Sequence, residues 1–175
     1  GKATPMFLKE GYEVIAVEPV KNMLEIAKRK FLSKSITFIN STFEDLELVD
    51  QYDLIYAASS FQWINGCDRL GKVYALLRKG GAFARFKTVN IIDDTKHANN
   101  AVLIKAYQKY LPDYLPTDAH KEHMSNDEYE KTGFSDFKRN EYFIDHEFDV
   151  KIYLKLINTY TEYLALDASL RNEFE

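Results

Sequence analysis

The sequence predicts an α/β domain built on a doubly wound, mostly parallel sheet with helices on both faces. Three observations carry that expectation. Short apolar runs alternate with stretches of helical period as far as about residue 92. The first run, Val14-Ile15-Ala16-Val17, has no polar alternation, as expected of a strand covered on both faces. That run ends in Glu18-Pro19, and proline cannot extend a central ladder; an amphipathic helix carrying Met23, Leu24, Ile26, Ala27 and Phe31 follows at once.

Taken in order, a helix is expected over 2–10, closed by Gly11, then a strand over 13–17 and a helix over 20–31. Ile36-Thr37-Phe38-Ile39-Asn40 reads as the second strand and Asp53-Leu54-Ile55-Tyr56-Ala57 as the third, with 59–64 as the loop beyond it. Residues 67–78 have helical spacing and are expected to end at Gly80-Gly81, before a strand at Ala82-Phe83-Ala84-Arg85-Phe86. A helix is expected over 97–111, broken by Pro112 and Pro116, then a polar segment and a short helix over 126–131. Alternation over 137–143 suggests a strand nearer the sheet edge, and helical spacing resumes over 149–158. No repeat or second core is visible, so 1–175 reads as one domain, with 90–130 as an inserted helical cap. A helix at the very start, ahead of a buried strand, implies a strand before Gly1. The sequence is therefore expected to be part of a longer chain.

With net charge −4 and no dense Lys/Arg cluster, the chain offers no electrostatic footprint for nucleic acid. Cys67 is the only cysteine, so no intrachain disulfide can form, which agrees with a reducing, cytoplasmic setting. The longest uncharged run, 54–67, contains serines, Gln62 and Asn65 and makes a poor membrane span. His120 and His123 can share a helix face, but no third and fourth ligand accompanies them, so no metal site is expected; His97 and His146 read as surface residues. No nucleophile–base constellation for hydrolysis is present.

In an open α/β sheet, ligands bind beyond the carboxyl ends of the strands, where a carboxylate can accept both hydrogens of a ribose diol. Glu18 occupies such a position, the alternative being an exposed turn acid. Further pieces follow: Gly1-Lys2-Ala3-Thr4, Asn22-Met23-Leu24-Glu25-Ile26-Ala27, Phe43-Glu44-Asp45-Leu46, Tyr52-Asp53-Leu54-Ile55, Phe61-Gln62-Trp63-Ile64 and Leu76-Leu77-Arg78-Lys79-Gly80-Gly81. In that order and spacing, from residue 1 to about 88, the chain resembles the class I S-adenosylmethionine-dependent methyltransferases, and their small-molecule branch of trans-aconitate methyltransferase-like proteins. Leu156-Ile157-Asn158-Thr159-Tyr160-Thr161 is similar to a later segment of that branch.

The resemblance implies a Rossmann-like fold, S-adenosyl-L-methionine as cofactor and a small-molecule acceptor. Gly1 would be the last glycine of the family's Gly-x-Gly-x-Gly loop, with the preceding strand before it and a final strand after residue 175. Glu18 would hold the ribose hydroxyls, while Pro19 and Met23 offer apolar surface near the adenine and sugar; Met23 reads equally as helix core. In Thr42-Phe43-Glu44-Asp45, Phe43 would pack on adenine and Glu44 or Asp45 accept from its amino group, unless Asp45 caps a turn and Phe43 fills the core. Ala58 to Trp63 would lie where methionine and acceptor meet. Gln62 stands where many relatives have His, and a neutral amide orients an acceptor but takes no proton. Trp63 and Phe61 would wall the acceptor pocket, or be core. Arg85 would hold an anionic acceptor, or pair with a neighbouring helix. Tyr160 and Tyr163 would close the pocket or serve structure. The rival within the fold class is a nicotinamide-dependent oxidoreductase; the rival outside it is a non-catalytic, cofactor-binding relative.

Overall fold

The computed structural model describes residues 1–32, 35–47, 51–66, 68–89, 91–92, 95, 98–112 and 126–174. The chain divides into two compact units, Gly1–Thr88 with Asn126–Ser135, and Val89–Ser125 with Asp136–Glu175.

In the first unit, helix α1 (Thr4–Lys9) carries Pro5 in its first turn, where a missing N–H costs nothing. Gly11 ends it in the left-handed region at φ +85°. The Tyr12 N–H donates to the Phe7 carbonyl at 3.1 Å and the Gly11 N–H to that of Leu8 at 3.2 Å, a Schellman closure. The Tyr12 ring meets Phe7 edge-on, supplying the apolar contact that accompanies such a closure. Strand β1 (Val14–Val17) pairs in parallel with β2 (Ile36–Ile39), Val14 facing Ile36 and Val17 facing Ile39. Helix α2 (Lys21–Lys30) joins them and buries Leu24.

Strand β3 (Tyr52–Ala58) leads to a 3-10 turn (Phe61–Trp63) and to helix α3 (Arg69–Leu76), whose Leu70, Val73 and Leu76 are buried. Strand β4 (Leu77–Phe86) returns parallel to β3, from Leu54 opposite Ala82 to Ala58 opposite Phe86. Helix α1 lies against β3 through Phe7, stacked on Tyr56 at 4.2 Å, and through a 3.1 Å bond between Thr4 Oγ1 and the Tyr56 hydroxyl. Helix α5 (Asn126–Thr132) belongs to this unit and packs on α3, Phe134 standing edge-on to Tyr74.

The second unit is helical: α4 (Ala98–Tyr110), α6 (Val150–Ile157), α7 (Thr161–Leu164) and α8 (Ala168–Phe174). Its core is Tyr107, Leu111, Ile157 and Tyr163, with Phe174 edge-on to Tyr107 and Tyr163. Among the described residues no helix is long and apolar enough to cross a membrane.

The α/β class with parallel pairing holds, the four strands forming two parallel pairs among the described residues, but three expectations need correction. Strand β1 is not covered on both faces: Val14 is buried and Ile15 exposed. Gly80-Gly81 does not cap a helix. The chain turns extended at Leu77, which already pairs with Tyr52, and the glycines absorb the register shift before Ala82 meets Leu54. Finally, 137–143 forms no strand. Tyr142 is 85% exposed, and no described strand pairs with the segment, so its amides have no ladder to join. Helices α7 and α8 were not foreseen.

Candidate active site at the strand carboxyl ends

Beyond β1, the Glu18 N–H donates to the Ile39 carbonyl at 3.0 Å, continuing the β1–β2 ladder by one residue. The half-buried Glu18 carboxylate accepts the Val20 N–H through Oε1 at 3.0 Å, just ahead of α2, leaving Oε2 without a partner among the described residues. The Asn40 side-chain amide donates to the Glu18 carbonyl at 2.8 Å and to that of Pro19 at 3.0 Å. That clasp fixes the acid's backbone to the end of β2. The Gly1 nitrogen, bonded to Thr4 Oγ1 at 3.1 Å, lies within the field of the Glu18 carboxylate. Pro19 is exposed, and Met23, 55% exposed, is not helix core.

After β2, Thr42 and Asp45 satisfy each other: the Thr42 hydroxyl donates to Asp45 Oδ2 at 2.8 Å and accepts the Asp45 N–H at 3.1 Å. Asp45 thus caps the turn. Glu44 instead reaches across to accept the Asn65 N–H at 2.6 Å, and Lys72 Nζ donates to the Glu44 carbonyl at 2.8 Å while standing over the Phe43 ring. Together Phe43, Glu44, Ile64, Asn65, Arg69 and Lys72 edge a cleft of about 140 Å³. Its size suits part of a ligand, since whole small-molecule sites start near ~300 Å³. A larger, open hollow at Glu10, Gly11 and Tyr12 gathers no comparable set of groups.

At the end of β3, Ala58 pairs with Phe86, and Ser59 enters the left-handed region at φ +51°, its N–H still donating to the Phe86 carbonyl at 2.9 Å. A non-glycine residue there carries strain, a recurrent property of functional turns. The chain then enters the 3-10 turn. Phe61 is core, 2% exposed, packed on Phe83. Gln62 donates from Nε2 to the Ser59 carbonyl at 3.2 Å, and Trp63 stands 68% exposed. Arg69 binds the turn from behind: Nη1 donates to the carbonyls of Phe61 at 3.1 Å and Ile64 at 3.3 Å, and its guanidinium lies over the Phe61 ring.

Arg85 faces Ala57 across the β3–β4 ladder. Its Nη1 donates to the Tyr129 hydroxyl at 2.9 Å, and its guanidinium lies 4.8 Å from the Phe61 ring centroid. Two guanidiniums, of Arg69 and Arg85, therefore rest on one buried ring.

The structure gathers Gly1, Glu18 and Pro19 at one strand end, Thr42, Phe43 and Glu44 at the next, and Ala58, Gln62, Trp63 and Arg85 at the third, all within the first unit. Tyr163 is core of the second unit, with Tyr160 packed against it. His97, His120 and His123 lie outside the described residues, and His146 is exposed beside Phe148. No cluster of potential metal ligands occurs among the described residues. Sequence reasoning missed Asn40, Ser59, Arg69, Lys72 and Tyr129. Only Asn40 and Ser59 carried a signal, as polar residues directly after a strand; the others arrive from elements whose docking the sequence does not encode locally.

With the geometry in place, comparison with known proteins is informative. Residues 1–81 match a family model described as a methyltransferase domain. A probable S-adenosylmethionine-dependent methyltransferase of Saccharomyces cerevisiae is 37% identical over 92 residues, 48% of this chain and 31% of that protein. A malonyl-[acyl-carrier protein] O-methyltransferase of Priestia megaterium is 33% identical over 70 residues, 39% of this chain and 26% of that protein. An uncharacterized methyltransferase of Mycobacterium bovis is 29% identical over 82 residues, 46% of this chain and 33% of that protein. The chain thus spans about a third or less of the length of these relatives.

Proposed function

We propose that the protein is a class I S-adenosylmethionine-dependent methyltransferase that methylates a small-molecule carboxylate at the site described above. The match of residues 1–81 to a methyltransferase domain and the methyltransferase relatives support this reading. When bound, S-adenosylmethionine would be held by Glu18 and the Phe43–Glu44 cleft and would supply an electrophilic sulfonium methyl to an acceptor carboxylate oxygen held by Arg85, its sulfur keeping the C–S electron pair.

The residues present fit that cofactor. Glu18 offers a free oxygen on a carboxylate whose other oxygen is already fixed, which suits a ribose hydroxyl. The Phe43–Glu44 cleft has an apolar wall and an acceptor, as a heteroaromatic ring with an exocyclic amine requires. Gly1, Pro19, Met23, Thr42 and Ala58 complete the cofactor contacts in this reading.

An ionised carboxylate needs no general base, so the neutral amide of Gln62 suffices to orient the acceptor beside Trp63. Positioning in line and excluding water supply the acceleration. Arg85 supplies charge recognition, and it is the observation that carries the carboxylate reading. The Priestia relative is named for methylating a malonyl group, which bears a carboxylate. We take 1–175 as one methyltransferase domain. The net charge of −4 and the single cysteine support a cytoplasmic enzyme that acts without nucleic acid or membrane.

Calorimetric titration of the full-length protein with S-adenosylhomocysteine, and separately with NAD, tests the cofactor. S-adenosylhomocysteine alone is expected to bind, and Glu18→Ala to weaken it by about 1–3 kcal/mol through the lost ribose contact. Binding of NAD instead would overturn the assignment.

A further inference from the structure

We propose that Tyr129, on α5, is a positioning residue that holds Arg85 ready for the acceptor's carboxylate and so sets the preference for anionic acceptors. This inference rests on the function proposed above. It starts from the bonding of the arginines. Arg78 pairs with Asp53, Arg139 pairs with Glu141, and Arg69 donates to two backbone carbonyls. Arg85 is half-buried, yet its polar partner among the described residues is a neutral phenol. A partly desolvated guanidinium without a counter-charge is costly, and a bound anion relieves that cost.

The geometry leaves the group able to take one. A guanidinium has five N–H donors, and Tyr129 engages one of them. The Phe61 ring supports the planar group, which restricts its rotation. The remaining donors include enough to form a two-point contact with a carboxylate. Arg85 is therefore pre-oriented rather than loose, and pre-orientation lowers the entropy lost on binding.

Tyr129 reaches Arg85 because α5 is anchored independently of it. Gly133 sits at φ +109° with the Tyr74 ring so close that a Cβ would lie 2.8 Å from Tyr74 Cζ. Phe134 then contacts Tyr74, Phe83 and Tyr129 itself. Losing the hydroxyl of Tyr129 leaves those ring contacts in place and removes the hold on Arg85.

The test uses malonate as the probe anion, titrated into the full-length protein saturated with S-adenosylhomocysteine. Wild type, Tyr129→Phe, Arg85→Lys and the double variant are compared. Tyr129→Phe is expected to weaken malonate by about 3–10-fold, the order for the net contribution of one ordinary hydrogen bond. In the Arg85→Lys background the same change is expected to cost less than about twofold, because the two residues act through one another. S-adenosylhomocysteine affinity and Tm should stay at wild-type values in Tyr129→Phe. An unchanged malonate affinity in Tyr129→Phe, equal losses in both backgrounds, or a parallel loss of S-adenosylhomocysteine affinity and Tm would overturn the positioning role while leaving the acceptor site standing. Failure of the wild type to bind malonate, with S-adenosylhomocysteine still bound, would instead remove the carboxylate reading and this inference with it.

Discussion

Gly81 shows how much a single position can be constrained by its surroundings. A Cβ there would lie 2.9 Å from the Tyr52 carbonyl oxygen and 3.0 Å from that of Arg78, both backbone atoms that cannot swing aside. Gly81→Ala is therefore expected to destabilise the protein by about 1–3 kcal/mol, read as a lowered urea midpoint. An unchanged midpoint would show that the β3–β4 irregularity relaxes freely. Tyr107 makes a different prediction. Burial, followed by the hydrogen bond with Tyr153, raises its ionisation well above the usual 10.0. The unfolded chain then loses this proton first as pH rises past 10, so the stability tied to it is present below that pH and declines above it. The decline should approach about 1.4 kcal/mol per pH unit for this one group. Urea unfolding at pH 9 and pH 11 should show a smaller drop for Tyr107→Phe than for the wild type; equal drops would place the effect elsewhere.

At the scale of elements, α6 separates local from tertiary stabilisation. Asp149 caps it, Oδ1 accepting the Lys151 N–H at 2.8 Å, and this much is written in the run Asp149-Val150-Lys151. Asp149→Ala should cost about 1 kcal/mol, the usual value of a cap. Ile157, at the other end and wholly buried, should cost about 2–5 kcal/mol on truncation to Ala. Thermal unfolding of the two variants orders these contributions; a cap loss exceeding the core loss would contradict the packing. The 137–143 stretch is the converse case. Its alternation has the period of a strand, but a strand exists only where another offers a ladder, and the pattern of one segment cannot supply that partner. Gly80-Gly81 misled for a related reason. Paired glycines after a helical run commonly mark a C-terminus, yet here pairing of Leu77 with Tyr52 ends the helix first.

For the whole molecule, all the residues proposed to bind cofactor and acceptor lie in Gly1–Thr88 and Asn126–Ser135. Saturation with S-adenosylhomocysteine at about 100 times Kd adds about 2.7 kcal/mol to the state that binds it. Amide exchange in β1, β3 and β4 should slow accordingly, and more than at Tyr107–Leu111 or Ile157. Equal slowing in both units would show that they open together, and slowing confined to the second unit would contradict the placement of the site.

The sequence by itself determined the α/β class, the presence of strands near 13–17 and 36–40, and the three strand ends that carry the candidate site. These are matters of period, of an acid and a proline closing a strand, and of an ordered set of short motifs, all local properties of the chain. Tertiary structure decided how those ends are wired: Asn40 clasping Glu18, Asp45 turning inward to Thr42 so that Glu44 meets Asn65, and Tyr129 bonding Arg85 across a long stretch of chain. A carboxylate or a guanidinium takes whichever partner packing brings within about 3 Å. That distance is set by helices docking on strands, which no local pattern records.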